Sequence, residues 1–370
     1  GLTWACPRPC AACCNRSKPK QTAKGEISLL YSEHDVLVQI AQAVISPSYI
    51  CYFFCISGCM AAKKKRALWP EGRGRLSSAS MTIGAMTTYV LTLSCPDRMG
   101  IVHAVSGFLL ENGGNIEEAA QFNDQATGLF FMRVQFVVTD ENPEAKSQAM
   151  RAALDALAAQ FDMRWQLHDA AQPMRCAIFV SREGHCLNDL LFRWKSGLLP
   201  LDIRAIVSNH RDFYQLAASY NVPFHHIPVT RETKAQAEAR QYEIIQAESA
   251  ELVVLARYMQ VLSDDLCRKL AGRAINIHHS FLPSFKGARP YYQAHERGVK
   301  LIGATAHYVT AALDEGPIIE QDVARADHTH TVESLTAVGR DTESQVLARA
   351  VKWHAERRVL LNGHKTVVFR

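Results

Sequence analysis

The sequence predicts an α/β protein with two folded domains. A ferredoxin-like βαββαβ unit is expected over residues 86–170, followed by a larger doubly wound, mostly parallel, Rossmann-like sheet over residues 174–370. The first is read from a strand-helix-strand-strand-helix-strand succession of hydrophobic periods. The second is read from continuous apolar runs such as Cys176-Ala-Ile-Phe-Val180, alternating with helical stretches as strands buried on both faces do. Between them Ala171-Gln172-Pro173 has the character of a linker. A chain of 370 residues, 48% of them apolar, has material for two cores.

Residues 1–85 fit neither pattern. They hold eleven Lys/Arg against four Asp/Glu, leaving 30 against 32 in the rest, so the formal net charge of +5 belongs to this segment. A nucleic-acid surface on the domains is therefore not expected. Seven of the eleven cysteines lie in the first 59 residues, at spacings that complete no zinc pattern. Cys95, Cys176, Cys186 and Cys267 are scattered singly, as in a reducing cytosol. Val36 to Ala62 carries no charge and is followed by Lys63-Lys64-Lys65-Arg66, which imitates a membrane span, but Ser46-Pro47-Ser48, Ser57-Gly58 and two glutamines dilute it. The expectation is a disordered or non-native extension with the physiological start at Met81 or Met86, no membrane association, and a cytoplasmic protein.

In the first domain Tyr89 to Ser94 alternates as a half-buried strand, and Pro96-Asp97-Arg98-Met99-Gly100 turns into a helix. That helix, Ile101 to Asn112, carries Ile101, Val105, Phe108 and Leu109 at helical spacing and ends at Gly113-Gly114. Asn115 to Phe122 and Leu129 to Val138 read as a hairpin, Pro143 to Phe161 as a second helix, and Arg164 to His168 as the last strand. The run Cys-Pro-Asp-Arg-Met-Gly-Ile-Val, with Gly-Gly-Asn-Ile after the helix, resembles the ACT family of amino-acid-sensing regulatory domains. The resemblance implies homo-oligomers formed by side-by-side pairing of these sheets. It also implies an amino-acid effector, glycine or methionine, held at Asp97, Arg98, Met99, Gly100 and Asn115.

The second domain continues from Cys176–Val180 through a helix, Cys186 to Lys195, and a strand, Ile203 to Val207. A helix over Asp212 to Tyr220, a strand over Phe224 to Ile227 and a helix over Glu232 to Ser249 follow. Next come Leu252 to Ala256 as a strand, Asp264 to Ala271 as a helix, and a strand running into Asn276. A strand over Pro317 to Val323, a long helix over Thr331 to Ala355 and a hairpin over Val359 to Phe369, turning at Asn362-Gly363, close the chain.

Asn276 and His278 stand where a buried strand runs out, the position at which open α/β sheets place ligands. Two residues apart on an extended chain, an amide and an imidazole share a face and can converge on one oxygen. Asp314 arrives later, in the turn Leu313-Asp-Glu-Gly-Pro317. On residue types alone the three read as a satisfied strand end and two loop residues. Asp327-His328-Thr329-His330 reads as a solvated turn rather than a metal site.

The surrounding words are Asn276-Ile-His-x-Ser-x-Leu-Pro-Ser-Phe285, Gly303-Ala-Thr-Ala-His307 and Asp314-x-Gly-Pro-Ile-Ile-x-Gln321, and they resemble the formyltetrahydrofolate-dependent formyltransferase and hydrolase superfamily. The resemblance implies that Asn276, His278 and Asp314 are catalytic, and that Met259, Gln260, Val261 and Leu262, with His307 and Thr310, hold the folate. It implies 10-formyltetrahydrofolate as substrate, with no cofactor and no metal. The loop after the first strand, Ser181-Arg-Glu-Gly-His-Cys186, keeps one glycine and adds a carboxylate, which does not suit the phosphate of an amine acceptor. Water is then the expected nucleophile, with formate going to purine synthesis and the one-carbon pool kept in balance. Formyl transfer to an amine, or a non-catalytic folate- or amino-acid-binding regulator, are the alternatives.

Overall fold

The computed structural model describes residues 85–280 and 290–370. The expectations for the N-terminal segment, residues 1–84, and for Leu282 and Pro283 of the motif lie outside the described residues. Among the described residues no helix is long and apolar enough to cross a membrane.

The smaller domain runs β1 (Ala85–Pro96), α1 (Ile101–Glu111), β2 (Asn115–Asp124), β3 (Leu129–Asp140), α2 (Pro143–Phe161) and β4 (Arg164–Asp169), one βαββαβ unit. Its antiparallel sheet has the order β2-β3-β1-β4. Asn142 caps α2 by accepting from the Ala145 N–H, with Pro143 in the first turn where its missing donor costs nothing. Alternation along β3 sends Met132, Val134 and Phe136 into a core with Leu91, Leu93, Val105 and Met150. Phe131 and Arg133 therefore point to the opposite face, where both are buried.

In the larger domain the strands are β5 (Met174–Val180), β6 (Leu201–Ser208), β7 (Phe224–His226), β8 (Leu252–Leu255), β9 (Ala274–His278), β10 (Leu301–Tyr308) and β11 (Ile318–Arg325). They form one sheet in the order β11-β10-β9-β8-β5-β6-β7. The pairs from β9 through β8, β5 and β6 to β7 are parallel, and β10 runs antiparallel to both neighbours. The helices are α3 (His185–Lys195), α4 (Tyr214–Ser219), α5 (Lys234–Ala247), α6 (Asp264–Lys269), α7 (Pro290–Glu296) and α8 (Val332–Ala355). On one face Val346, Leu347, Ala350 and Val351 of α8 join Leu187 and Leu190 of α3 over Ile178, Val254, Ile275 and Ala306. On the other, Ile244 and Ile245 of α5 and Leu266 of α6 cover Phe179, Val253 and Leu255. Both faces are thus clothed, as a doubly wound sheet requires.

Three features differ from the sequence reading. β10 and α7 were not marked by any period, because Gly303-Ala-Thr-Ala-His307 is a run of small and polar residues buried on both faces. The C-terminal hairpin, β12 (Val359–Asn362) and β13 (Lys365–Val368), pairs Asn362 with Lys365, so its two-residue loop is Gly363-His364 and not Asn-Gly. Only the first loop residue has positive φ, Gly363 at 61°, as a type II′ connection requires.

The hairpin also does more than end the larger domain. Val367 and Phe369 pack with Phe131 on the open face of the small sheet. Beside them Arg133 and Arg358 share the Glu118 carboxylate at 3.0 and 2.7 Å, and the Asn362 amide donates to Asp124 at 2.6 Å. Phe131→Ala should cost about 3–5 kcal/mol, the usual loss for emptying a buried phenyl site, and chemical denaturation measures it. Turnover per folded molecule should stay near wild type, because the ring lies outside the candidate pocket.

Candidate active site

β9 ends at His278 at the carboxyl edge of the sheet, as the sequence reading expects. Antiparallel register sets Asn276 opposite His307 and His278 opposite Thr305. Asn276 Nδ2 meets His307 Nε2 at 3.3 Å, and His307 Nδ1 meets the Tyr308 carbonyl at 2.9 Å. A carbonyl can only accept, so Nδ1 carries a proton and Nε2 is free to accept from the Asn276 amide. One amide hydrogen is thereby fixed and the other is left for the pocket.

Asp314 reaches this pair from the β10–β11 turn. Its Oδ2 lies 3.2 Å from His278 Nδ1 and its Oδ1 3.6 Å from His307 Nε2. Hydrogen bonding from His278, the largest influence on it, outweighs burial and holds the Asp314 carboxyl well below the usual carboxylate range. His278 Nε2 is buried and has no hydrogen-bond partner among the described residues. One ring nitrogen is thus held by the carboxylate while the other is unspent.

The turn that delivers Asp314 is tightly determined. Asp314 is left-handed at φ 56°, a conformation that Asp tolerates better than most residues. A Cβ on Gly316 would fall 1.7 Å from the Tyr308 carbonyl oxygen, so no side chain fits there. Tyr308 N–H donates back to the Pro317 carbonyl at 2.9 Å and closes the loop. Gln321 donates to Thr305 Oγ1, which itself donates to the Ser280 carbonyl, each at 2.9 Å. That chain holds the backbone just beyond His278 and gives the glutamine of the motif a structural task.

A cavity of about 260 Å³ opens over these groups, and Met259, Gln260, Val261, Leu262, His307 and Thr310 line it together with Asn276, His278 and Asp314. Every residue singled out for catalysis or folate binding is thus brought to one cavity. Tyr258 anchors the 259–262 segment: its ring packs edge-on against Phe179 and its hydroxyl accepts from Gln241 at 2.7 Å. Ser181 Oγ accepts from the Met259 N–H at 2.9 Å, tying the segment to the loop after β5. A larger cleft of about 960 Å³ lies between the domains, where Arg175 and Arg357 are both paired with Glu251; none of the predicted site residues lines it.

The chain matches the family model described as Formyl transferase over residues 174–351 and that described as ACT domain over residues 89–158. It is 53% identical over 282 residues to the formyltetrahydrofolate deformylase of Corynebacterium sp. (strain P-1), covering 76% of this chain and 98% of that protein. The chain belongs to the formyltetrahydrofolate deformylase family. The crystal structure of the formyltetrahydrofolate deformylase from Burkholderia mallei ATCC 23344 superposes with a TM-score of 0.74 at 55% identity, over 77% of this chain and all of that one. The glycinamide ribonucleotide transformylase 1 of Symbiobacterium toebii reaches 0.51 at 30% identity, over 55% of this chain and 98% of that one. In this family member the small domain is an ACT domain and the larger one has the formyltransferase fold.

The ACT loop residues stand apart from that cavity. Asp97 is held by the Asn123 side chain, and its N–H donates to the Gly128 carbonyl at 2.8 Å. Arg98 donates to the Gln160 carbonyl and lies 4.7 Å above the Phe161 ring. Met99 is almost fully exposed, Gly100 starts α1 at φ 96°, and Asn115 begins β2.

Near the site a buried network gathers on Glu343, a residue the sequence reading did not single out. Glu343 of α8, only 1% exposed, receives His185 Nε2 at 2.8 Å and the Tyr291 hydroxyl at 2.7 Å, with Arg257 Nε at 3.3 Å. Arg257 Nη1 donates to His279 Nδ1 at 2.8 Å. Burial would raise the Glu343 carboxyl, but the His185 hydrogen bond, the Arg257 charge and the Tyr291 hydroxyl together keep it lowered. Glu343, His185 and Cys186 have donor atoms within 4.8 Å of one another, as a metal site would. The carboxylate is already committed to this network, however, a guanidinium stands beside it, and burial pushes the Cys186 thiol up. Buried polar residues far apart in sequence leave no periodic signal, so only the fold could join them.

Gly316→Ala should displace the Asp314 turn, since the added methyl cannot coexist with the Tyr308 carbonyl. The expected outcome is a fall in kcat of about 100-fold, the scale of a 1 Å misplacement of a reacting group, measured with a melting temperature that separates this loss from unfolding.

Proposed function

We propose that the chain hydrolyses 10-formyltetrahydrofolate to formate and tetrahydrofolate, with Asn276, His278 and Asp314 as catalytic residues. The observation that carries this reading is the 3.2 Å contact of His278 Nδ1 with Asp314, which leaves His278 Nε2 without a partner among the described residues in the cavity that Asn276 also lines. Its relatives bear the name of that reaction.

Water attacks the formyl carbon, the carbonyl oxygen becomes an oxyanion, and the C–N bond breaks as N10 takes a proton. The Asn276 amide and protonated His278 donate to the oxyanion; one preorganised donor of this kind is worth about 3–4 kcal/mol. Asp314 orients the water, favours the charged His278 and relays the proton to N10. Met259, Gln260, Val261, Leu262 and Thr310 hold the pterin, with His307 steadying Asn276. No step calls for a metal or another cofactor. Water is favoured over an amine acceptor by the loop after β5, where Glu183 pairs with Arg340 at 2.6 Å and a Cβ on Gly184 would strike the Phe213 ring at 2.3 Å. A carboxylate and a covered helix start do not welcome a phosphate. The reading extends to a cytoplasmic setting in which the formate serves purine synthesis.

Asp314→Asn keeps the shape of the side chain and removes its charge. We expect kcat to fall about 10²- to 10⁴-fold, the range for losing a positioned acid or base, with KM little changed; binding lost together with turnover would make Asp314 structural. His278→Ala should fall likewise and keep a residual rate from Asn276. In pH titrations of stability, the depressed carboxyl contributes fully above its unfolded pKa of about 3.9 and loses that contribution as the pH falls toward its lower folded value. Wild type should therefore lose stability relative to Asp314→Asn below about pH 4 and run parallel to it above about pH 5.

For the ACT domain the reading is a homo-oligomer whose loops, Asp97 to Gly100 and Asn115, take an amino-acid effector, glycine or methionine. The exposed Met99 and the open space around Gly100 support it. A thermal-shift and formate-release screen of all amino acids on the full chain should find one that changes apparent affinity by about 5- to 150-fold, the common range of coupling. Silence from every amino acid would make the domain an assembly module.

A further inference from the structure

We propose that Glu343 is a positioning residue for the hydrolysis, acting on His278 through Arg257 and His279; the inference rests on the catalytic role assigned above to His278. Arg257 is the bridge. It has donors only, so His279 Nδ1, 2.8 Å from Nη1, must accept and the His279 proton must sit on Nε2. Burial first, and the Arg257 charge second, push His279 down to about 4, so this ring is neutral at working pH. It stacks on His278 with centroids 4.8 Å apart and planes at 23°.

The arrangement separates two tasks. Asp314 holds the edge of the His278 ring through Nδ1, while neutral His279 holds its face. A neutral neighbour tolerates a protonated His278; two adjacent imidazoliums beside a guanidinium would not coexist. Glu343 makes the guanidinium acceptable at this depth by compensating its charge, and its remaining capacity is spent on His185 of α3 and Tyr291 of α7. A Cβ on Gly339 would fall 2.1 Å from the Tyr291 hydroxyl oxygen, so the α8 backbone leaves room for this one partner. Three segments bordering the site, the start of α3, the end of β8 and the start of α7, are thus referred to one carboxylate.

The charged groups facing His278 are Asp314 from the β10–β11 turn and, across His279, Arg257 after β8; His307 of β10 faces the same Asp314. Those facing Glu343 are Arg257, His185 and Tyr291, with Cys186 nearby. Glu343→Gln therefore leaves Arg257 uncompensated and disfavours positive charge on the stacked rings.

The experiment measures formate release from 10-formyltetrahydrofolate against pH for the full chain, Glu343→Gln, and the doubly neutral Arg257→Met/Glu343→Gln. For Glu343→Gln we expect kcat to fall about 10- to 100-fold, as small misplacements do, KM to change less than about threefold, and the basic limb of the pH profile to move to lower pH. In the double variant the limb should return to its wild-type position while kcat stays low, because His279 has lost its donor. A wild-type pH profile in Glu343→Gln, or a shift that persists in the double variant, would overturn the proposal. So would a raised KM with unchanged kcat. If Glu343→Gln does not fold, the double variant decides alone, and a wild-type kcat there refutes the idea. A wild type that releases no formate would instead end the hydrolase reading, and is seen without any variant.

Discussion

Because side chains alternate along a strand, the pairing of β9 with β10 decides which groups face the cavity. With Asn276 opposite His307 and His278 opposite Thr305, the two donors of β9 share one face, and His307 supports Asn276 across the ladder. A one-residue slip would turn Asn276 and His278 to the other face and present Ile277 in their place. Ile277 instead belongs to the core beneath α8, so the apolar face of β9 enforces the polar register. The same antiparallel step brings the end of β10 beside the start of β9, Tyr308 opposite Ile275, and the β10–β11 turn folds back from there so that Asp314 reaches His278 at 3.2 Å.

The turn then illustrates how strain and chemistry are joined. Asp314 and Arg257 are both left-handed, at φ 56° and 63°, and both put a charge against the histidine pair. Each such residue costs of order 1–3 kcal/mol and persists only where its surroundings over-determine it. Around Asp314 the surroundings are the Gly316–Tyr308 approach and the Tyr308–Pro317 hydrogen bond. Around Arg257 they are Tyr258, locked by Gln241 and Phe179. Strain at the two positions is borne by rigid neighbours rather than by the loops themselves.

Much of this was legible in the sequence. The six elements of the ACT domain were readable because Ile101, Val105, Phe108 and Leu109 keep helical spacing while Tyr89, Leu91 and Leu93 of β1 and Met132, Val134 and Phe136 of β3 recur at every second position of the core. Asn276, His278 and Asp314 were readable from their wording, and the cavity gathers them. β10 was not, since Gly303, Ala304 and Ala306 leave Thr305 as the one β-branched residue of this run and no apolar-polar alternation marks it. The Glu343 network was invisible for a different reason. A buried carboxylate inside a long amphipathic helix looks like a solvated charge until the partner guanidinium, imidazole and phenol are seen to converge on it.

The contact of the C-terminal hairpin with the ACT sheet combines two kinds of interaction whose roles differ. Phe131, Val367 and Phe369 remove apolar surface from water, at about 25 cal/mol per Å², and this drives the association. Arg133, only 2% exposed, contributes direction more than free energy. Its burial is opposed by desolvation, offset by Glu118 and by donation from Nη2 to the Glu356 carbonyl at 3.2 Å. Such a buried pair is weak evidence for stability, because separating the surfaces would rehydrate both ions. What the pair excludes is a shifted docking, in which Arg133 would face an apolar surface with no acceptor. The same contact joins the ACT sheet to the end of α8, the helix that carries Glu343, because Arg133 donates to the carbonyl of Glu356, its C-cap residue.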